Sequence, residues 1–140
     1  MSALHLVVIG GGRWGRTHIR VINDLKLNTK ISWVTAHGEK ANRLWCDDND
    51  LTNVTVYNSF SPDNIDGVII ATKSNTHADI LEEILNQKIP VLCEKPFAMD
   101  YERACQLVAL SNFSNTPAAM NIEFIHASYL DDLKKAIDNQ

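Results

Sequence analysis

The sequence predicts an α/β fold, a doubly wound parallel sheet in a single domain. Two observations carry that prediction. The mostly apolar run Leu4-His5-Leu6-Val7-Val8-Ile9 breaks into Gly10-Gly11-Gly12-Arg13-Trp14-Gly15, a strand that stops at a Gly-x-Gly-x-x-Gly turn and continues as a helix. Beyond it, short apolar runs alternate with longer amphipathic ones, the pattern of parallel strands joined by right-handed helical crossovers.

Strands are predicted over 4–9, 31–36, 54–57, 67–71, 90–93 and 118–123. Val68-Ile69-Ile70-Ala71 and Val91-Leu92-Cys93 are continuously apolar, as suits strands covered on both faces. Helices are predicted over 14–25, 39–46, 75–87, 100–111 and 128–139, so every strand but the third leads into a helix. The helix over 75–87 puts Ile80, Leu81, Ile84 and Leu85 on one face and Glu82, Glu83 and Asn86 opposite, with Asn75 or Ser74 as its N-cap. The next repeats the pattern with Ala104, Leu107, Val108 and Leu110, capped by Asp100.

The 140 residues suffice for one core, which buries roughly two-thirds of the unfolded surface at this size. A net charge of -4, with Lys134-Lys135 the only adjacent basic pair, argues against nucleic acid, which needs a basic stripe. No apolar stretch approaches a membrane span, and the apolar start lacks the charged region and cleavage site of a signal peptide. Cys46, Cys93 and Cys105 have no metal-ligand spacing and are odd in number, so reduced thiols, no metal and a cytoplasmic location are expected.

Each glycine of the turn has its own task. Gly10 permits the tight turn, Gly12 lets backbone approach a pyrophosphate, and Gly15 lets the helix pack against the strands. Arg13 is placed near phosphate or adenosine, or stands as a solvated charge; Trp14 covers the ligand or packs in the core. In NAD-specific folds an acidic residue about 20 positions further on binds the ribose 2′-hydroxyl. That position is Thr35 or Ala36 here, and neither is acidic. With the hydroxyl of Thr35 and with His37 and Lys40 nearby, the balance favours NADP over NAD, Glu39 being the alternative ribose ligand.

Two further motifs lie at predicted strand ends, where such sheets bind ligands: Ala71-Thr72-Lys73-Ser74-Asn75-Thr76-His77 and Cys93-Glu94-Lys95-Pro96-Phe97. With the glycine turn, and in this order and spacing, they make the chain resemble the Gfo/Idh/MocA oxidoreductases over essentially its whole length. The resemblance implies a Rossmann-type NAD(P)-binding domain over 1–125. It implies that 126–140 is a terminal helix or the lead-in to a substrate domain that is missing here. It implies hydride transfer at a CH–OH/C=O carbon of a sugar, polyol or nucleotide sugar. Carried over, Lys95 is the catalytic candidate, beside the nicotinamide ribose and the reacting oxygen. Glu94 sets the nicotinamide end, and Pro96 fixes the turn, with a cis bond expected before it. Ala71, Thr72, Asn75 and His77 line the cofactor, although His77 also reads as a helix cap.

The chain departs from the family pattern at Lys73, where proline is usual, and after the sixth strand, where Ile122-Glu123-Phe124-Ile125-His126 lacks the usual arginine. Alone, the chain is expected to bind dinucleotide and turn over nothing, its sugar-like substrate being held by the missing domain or a second chain. The alternative is a non-catalytic dinucleotide-binding or partner-dependent module, with Tyr129-Leu130-x-x-Leu133-x-x-Ala136-Ile137 docking on a partner or on a second copy as a homo-oligomer.

Overall fold

The structure, a computed structural model, describes residues 2–61, 63–122 and 129–138. In chain order they form β1 (Leu4–Ile9), α1 (Arg13–Asp24), β2 (Thr29–Val34), α2 (Glu39–Asp48), β3 (Val54–Tyr57) and β4 (Gly67–Ile70). A short 3-10 turn, Ser74–Thr76, then leads into α3 (His77–Asn86), followed by β5 (Val91–Glu94), α4 (Tyr101–Ser114), β6 (Ala118–Asn121) and α5 (Tyr129–Asp138). The sheet runs in the order β3-β2-β1-β4-β5-β6, every pair parallel. This is the predicted doubly wound fold, with the order reversing between β1 and β4. The boundary expected at residue 125, and His126, lie outside the described residues.

Side chains of a strand alternate between the two sheet faces, and the core divides accordingly. Val8, Ile31, Trp33 and Val56 pack with Ile19 and Ile22 of α1 and Cys46 of α2. Val7, Val34, Val68, Ile70, Val91 and Cys93 pack on the other face with Leu81, Ile84 and Leu85 of α3 and Leu107 of α4. These three leucine and isoleucine side chains of α3 have no exposed surface and contribute about 2 kcal/mol each by burial. Arg103 ties α4 to α3 through Glu82 at 2.7 Å, and that contact holds the Glu82 carboxyl below its usual range.

The local differences from expectation have physical causes. β2 starts at Thr29 and ends at Val34 because its register is set by pairing with β1, Leu4 opposite Thr29 and Ile9 opposite Val34. Asp100 caps α4 as expected, accepting from the Arg103 amide at 2.8 Å. Neither Ser74 nor Asn75 caps α3. Those residues form the 3-10 turn, and Thr76 Oγ1 bonds the Lys73 carbonyl and Thr72 Oγ1, both at 2.8 Å. Val108, expected on the buried face of α4, is exposed, because Leu107 takes the position towards the sheet.

The β3–β4 crossover, residues 58–66, holds no helix among the described residues. It must pass β2 and β1 while returning to the amino ends of the strands. Three strand spacings alone are about 14 Å. Nine residues of helix reach about 14 Å in total, whereas extended chain reaches about 30 Å. The segment is anchored where it arrives: the Asp66 amide donates to the His5 carbonyl at 2.9 Å, and Asp66 Oδ2 accepts from the His5 amide at 2.8 Å.

Burial, with the neighbouring Glu94 charge, pushes the Cys93 thiol up to about 12. The folded chain therefore keeps a proton that the unfolded chain gives up near 9.0, so this group's contribution to stability falls as pH rises from there towards about 12. Urea melts at pH 8 and 10 are expected to show a smaller alkaline loss in Cys93→Ala than in the parent, whatever the cost of the cavity at both pH values.

Candidate functional site

The carboxyl end of β1 is held from both sides. The Gly10 amide donates to the Val34 carbonyl of β2 at 2.9 Å, and the Ala71 amide beyond β4 donates to the Ile9 carbonyl at 2.8 Å. Gly10 turns the chain at φ +131°, and a Cβ there would lie 2.2 Å from the Ala71 carbonyl oxygen. The Gly10 carbonyl accepts from the Trp33 indole at 2.8 Å. A Cβ on Gly15 would lie 2.0 Å from that same oxygen. Both glycines are thus required by the fold. Gly12 differs: it is exposed, has φ -88°, and a Cβ on it would meet nothing within 4 Å.

Gly12 is also the N-cap of α1, with no side-chain capping bond and no acidic residue in the first turn. The first-turn amides of a helix lack partners within it, and the dipole there favours negative charge. An open side at Gly12 leaves room for an anion to reach them.

These residues wall a groove of about 740 Å³ across the strand ends at the β1/β4 reversal. Gly10, Gly11, Gly12, Arg13 and Trp14 form one side, Ala71, Thr72, Lys73 and Thr76 the other. Ala36, His37, Asn58 and Ser59 close one end, and Ile9, Val34, Phe60 and Ile80 supply an apolar wall. Among the described lining residues none is acidic, while Arg13 and Lys73 bring positive charge. Trp14 is 43% exposed and belongs to the groove rather than to the core. Asn58, Ser59, Phe60, Thr76 and Ile80 were not among the site residues expected from the sequence, and Ile80 was placed only on an apolar helix face. Phe60 lies in the crossover, which has no helix among its described residues and where no motif marks it.

At the end of β2 the groove is lined by Ala36 and His37 and not by Thr35. Thr35 is 1% exposed. Its amide still pairs with the Tyr57 carbonyl at 2.9 Å, so the strand's alternation continues and turns it to the Trp33 side, behind Gly11. There Thr35 Oγ1 is buried without a hydrogen-bond partner. Arg16 Nη2 donates to Asn42 Oδ1 beside it at 2.8 Å, with the guanidinium over the Trp45 ring at 5.3 Å. Glu39, the alternative ribose ligand, pairs with Arg43 at 2.7 Å. Lys40 is exposed on α2.

The second group of predicted residues divides. Ala71 and Thr72 line the groove, whereas Asn75 is exposed in the 3-10 turn. His77 is 1% exposed, its Nδ1 2.7 Å from the Pro96 carbonyl and its Nε2 3.2 Å from the Thr72 carbonyl. Its ring joins the loops after β4 and β5, while its backbone amide closes the 3-10 turn on the Ser74 carbonyl; its side chain caps no α-helix. Lys95 and Pro96 are exposed at the end of β5, and the bond between them is cis. Glu94 is buried, its Oε1 2.7 Å from His18 Nε2 of α1 and 2.8 Å from Asn121 Nδ2 of β6. Neither His18 nor Asn121 stood out in the sequence.

Among the described residues no group of three or more His, Cys, Asp or Glu side chains is placed to hold a metal, and no helix is long and apolar enough to cross a membrane. Cys46 and Cys93 are buried free thiols and Cys105 is an exposed one.

Fold and groove together define a nicotinamide-dinucleotide-binding domain of the oxidoreductase class. The chain belongs to the Gfo/Idh/MocA oxidoreductase family with an NAD-binding Rossmann fold, whose model matches residues 4–121. It is 36% identical over 105 residues to the rhizopine catabolism protein MocA of Rhizobium meliloti, covering 74% of this chain and 32% of that protein. The crystal structure of myo-inositol 2-dehydrogenase from Lactobacillus plantarum matches with a TM-score of 0.80 at 20% identity, over 99% of this chain and 42% of that one. That of GenD2 from gentamicin A biosynthesis, in complex with NAD, matches with a TM-score of 0.76 at 22% identity, over 91% and 37%. Both structural matches speak to the fold. The chain spans about a third of the length of the relatives it matches.

The contrast between the glycines gives a direct test. Gly15→Ala is expected to lose at least about 2 kcal/mol through overpacking against the Gly10 carbonyl. Gly12→Ala is expected to stay within about 1 kcal/mol of the parent, because its Cβ meets nothing and the N-cap preference for Gly is offset by the smaller unfolded-state entropy of Ala. Urea denaturation of the two variants beside the parent reads both.

Proposed function

We propose that the groove holds a nicotinamide dinucleotide, NADP in preference to NAD, as the cofactor domain of a dehydrogenase acting on a sugar, polyol or nucleotide-sugar-like substrate. The observation that supports it best is the pairing of an open Gly12 at an uncapped helix N-terminus with an acid-free lining. An anion fits there, and no protein group needs the glycine. The pyrophosphate is assigned to Gly10, Gly12, Arg13 and the first amides of α1. Trp14 covers it, and adenine is assigned to the slot between Phe60, Ile80 and Val34.

The preference for NADP follows from charge. A carboxylate at the end of β2 would accept from a ribose 2′-hydroxyl and repel a 2′-phosphate. Ala36 holds that place and His37 stands beside it, while Glu39 is engaged with Arg43. Thr35 is assigned no direct contact, its hydroxyl being turned away.

The bound nicotinamide supplies hydride exchange at its C4. The chain's own contribution is placement and charge. In a doubly wound sheet the second nucleotide lies over the second half, here β4-β5-β6, where Lys95 follows β5. An ammonium at that point polarises a substrate carbonyl, or stabilises the alkoxide that forms as a proton leaves. His77 holds the Thr72 and Pro96 loops at a fixed separation beneath. Asn75 is placed at the surface beside them, towards the cofactor ribose. Hydride transfer requires oriented contact between substrate and nicotinamide. We assign the remaining substrate contacts to segments matching the rest of the relatives' length, or to a second chain.

Calorimetric titration of the chain with NADPH, NADH and both oxidised forms tests the reading. Binding with NADPH tighter than NADH is expected, and absence of binding to all four would remove the assignment. Gly12→Val is expected to abolish binding while the chain stays folded, at a cost of about 1 kcal/mol for a poorer N-cap. Ala36→Asp is expected to reverse the preference, by about tenfold or more in the ratio of dissociation constants for one charged hydrogen bond gained and one repulsion introduced. An unchanged ratio would contradict the account of the ribose end.

A further inference from the structure

One buried polar cluster is not used by this reading. His18 lies one helical turn beyond Trp14 on α1, and its Nε2 meets Glu94 Oε1 at 2.7 Å. Their side chains are 12% and 6% exposed. Asn121 Nδ2 meets the same oxygen at 2.8 Å. An amide nitrogen only donates, so Glu94 Oε1 is acting as an acceptor. A lone pair on His18 Nε2 facing it would repel, and Nε2 therefore carries the hydrogen. One carboxylate oxygen thus gathers donors from α1 and β6 onto β5.

The tie joins parts of the fold that the core beneath α1 does not. Ile19 and Ile22 anchor α1 on Val8, Ile31, Trp33 and Val56, and that cluster contains no residue of β5 or β6. Across the reversal the cluster extends only to Ile69 of β4. The His18–Glu94 bond reaches across the β1/β4 reversal to the other half and ends one residue before Lys95.

We infer that His18 is a positioning residue which, through Glu94, holds the Lys95 loop at a set distance from the amino end of α1, so that the pyrophosphate and nicotinamide subsites stay in register. The inference rests on the assignment of the groove to a nicotinamide dinucleotide. His18 touches no part of the cofactor in this scheme. It sets the relation between two places that do.

The test separates the two halves of the ligand. Adenosine 2′,5′-bisphosphate probes the adenosine half alone, and NADPH probes both. In His18→Ala, affinity for the bisphosphate is expected to change by less than about twofold, and affinity for NADPH to fall by about tenfold, the scale of one hydrogen bond to a charged group. His18→Gln, whose side-chain amide restores a donor, is expected to recover most of the NADPH affinity. Equal losses for both probes would mean general loosening of the fold and would overturn the inference, as would an unaltered NADPH affinity or a failure of His18→Gln to rescue. A parent chain that binds neither probe overturns the reading of the groove and this inference with it. A parent that binds both, with His18→Ala silent, overturns the inference alone.

Discussion

How closely α1 approaches β1 is decided at the carbonyl of Gly10. Any side chain on Gly15 would collide with that oxygen, so the helix settles on the strand end at backbone distance. The oxygen is not left bare by the contact, because the Trp33 indole donates to it. Trp33 is itself fully buried in the core under α1 and α2, so the hydrogen bond comes from a side chain that packing already holds. Strand, helix and core thereby fix one atom, and the direction of the α1 amino end follows from it. The groove, the open side of Gly12 and the reach of His18 to Glu94 all depend on that direction.

Charge is distributed unevenly around this point. The chain as a whole is acidic, yet the described groove walls carry cations and no carboxylate. Glu39, Glu82 and Glu94 are each engaged by a side-chain partner elsewhere. The fields that remain in the groove are those of Arg13, Lys73 and the helix terminus, all favourable to phosphate.

The glycine turn and the parallel sheet were legible in the sequence because both rest on local rules, tight-turn sterics and apolar runs between amphipathic helices. Strand ends were legible only approximately. β2 was drawn two residues late, since the apolar stretch through Ala36 outlasts the pairing that defines the strand. The alternation from Trp33 to Ala36 carried a signal that bears on the ribose end: if Trp33 faces one helix layer, Thr35 faces the same one and Ala36 the other. His77 read as a ligand or a cap, and its burial between two carbonyls depends on Pro96, 19 residues further along the sequence. His18 and Glu94 are 76 residues apart, and nothing local to either announces the other. Phe60 was invisible for a different reason. Its segment has neither a period nor a motif, and its place follows from the span the crossover must cover.

That crossover makes the groove a mixed object. Gly10 and Gly15 of the turn tolerate almost no change, because a side chain at either meets backbone. The wall formed by Asn58, Ser59 and Phe60 belongs to a stretch with no helix among its described residues, and the entropic cost of doubling such a loop is only about 0.6 kcal/mol. Lengthening it therefore costs far less than a side chain at Gly10 or Gly15 would. The groove thus has walls of two kinds, one whose shape is set by backbone contact at Gly10 and Gly15 and one, at Asn58, Ser59 and Phe60, whose shape is set by loop side chains.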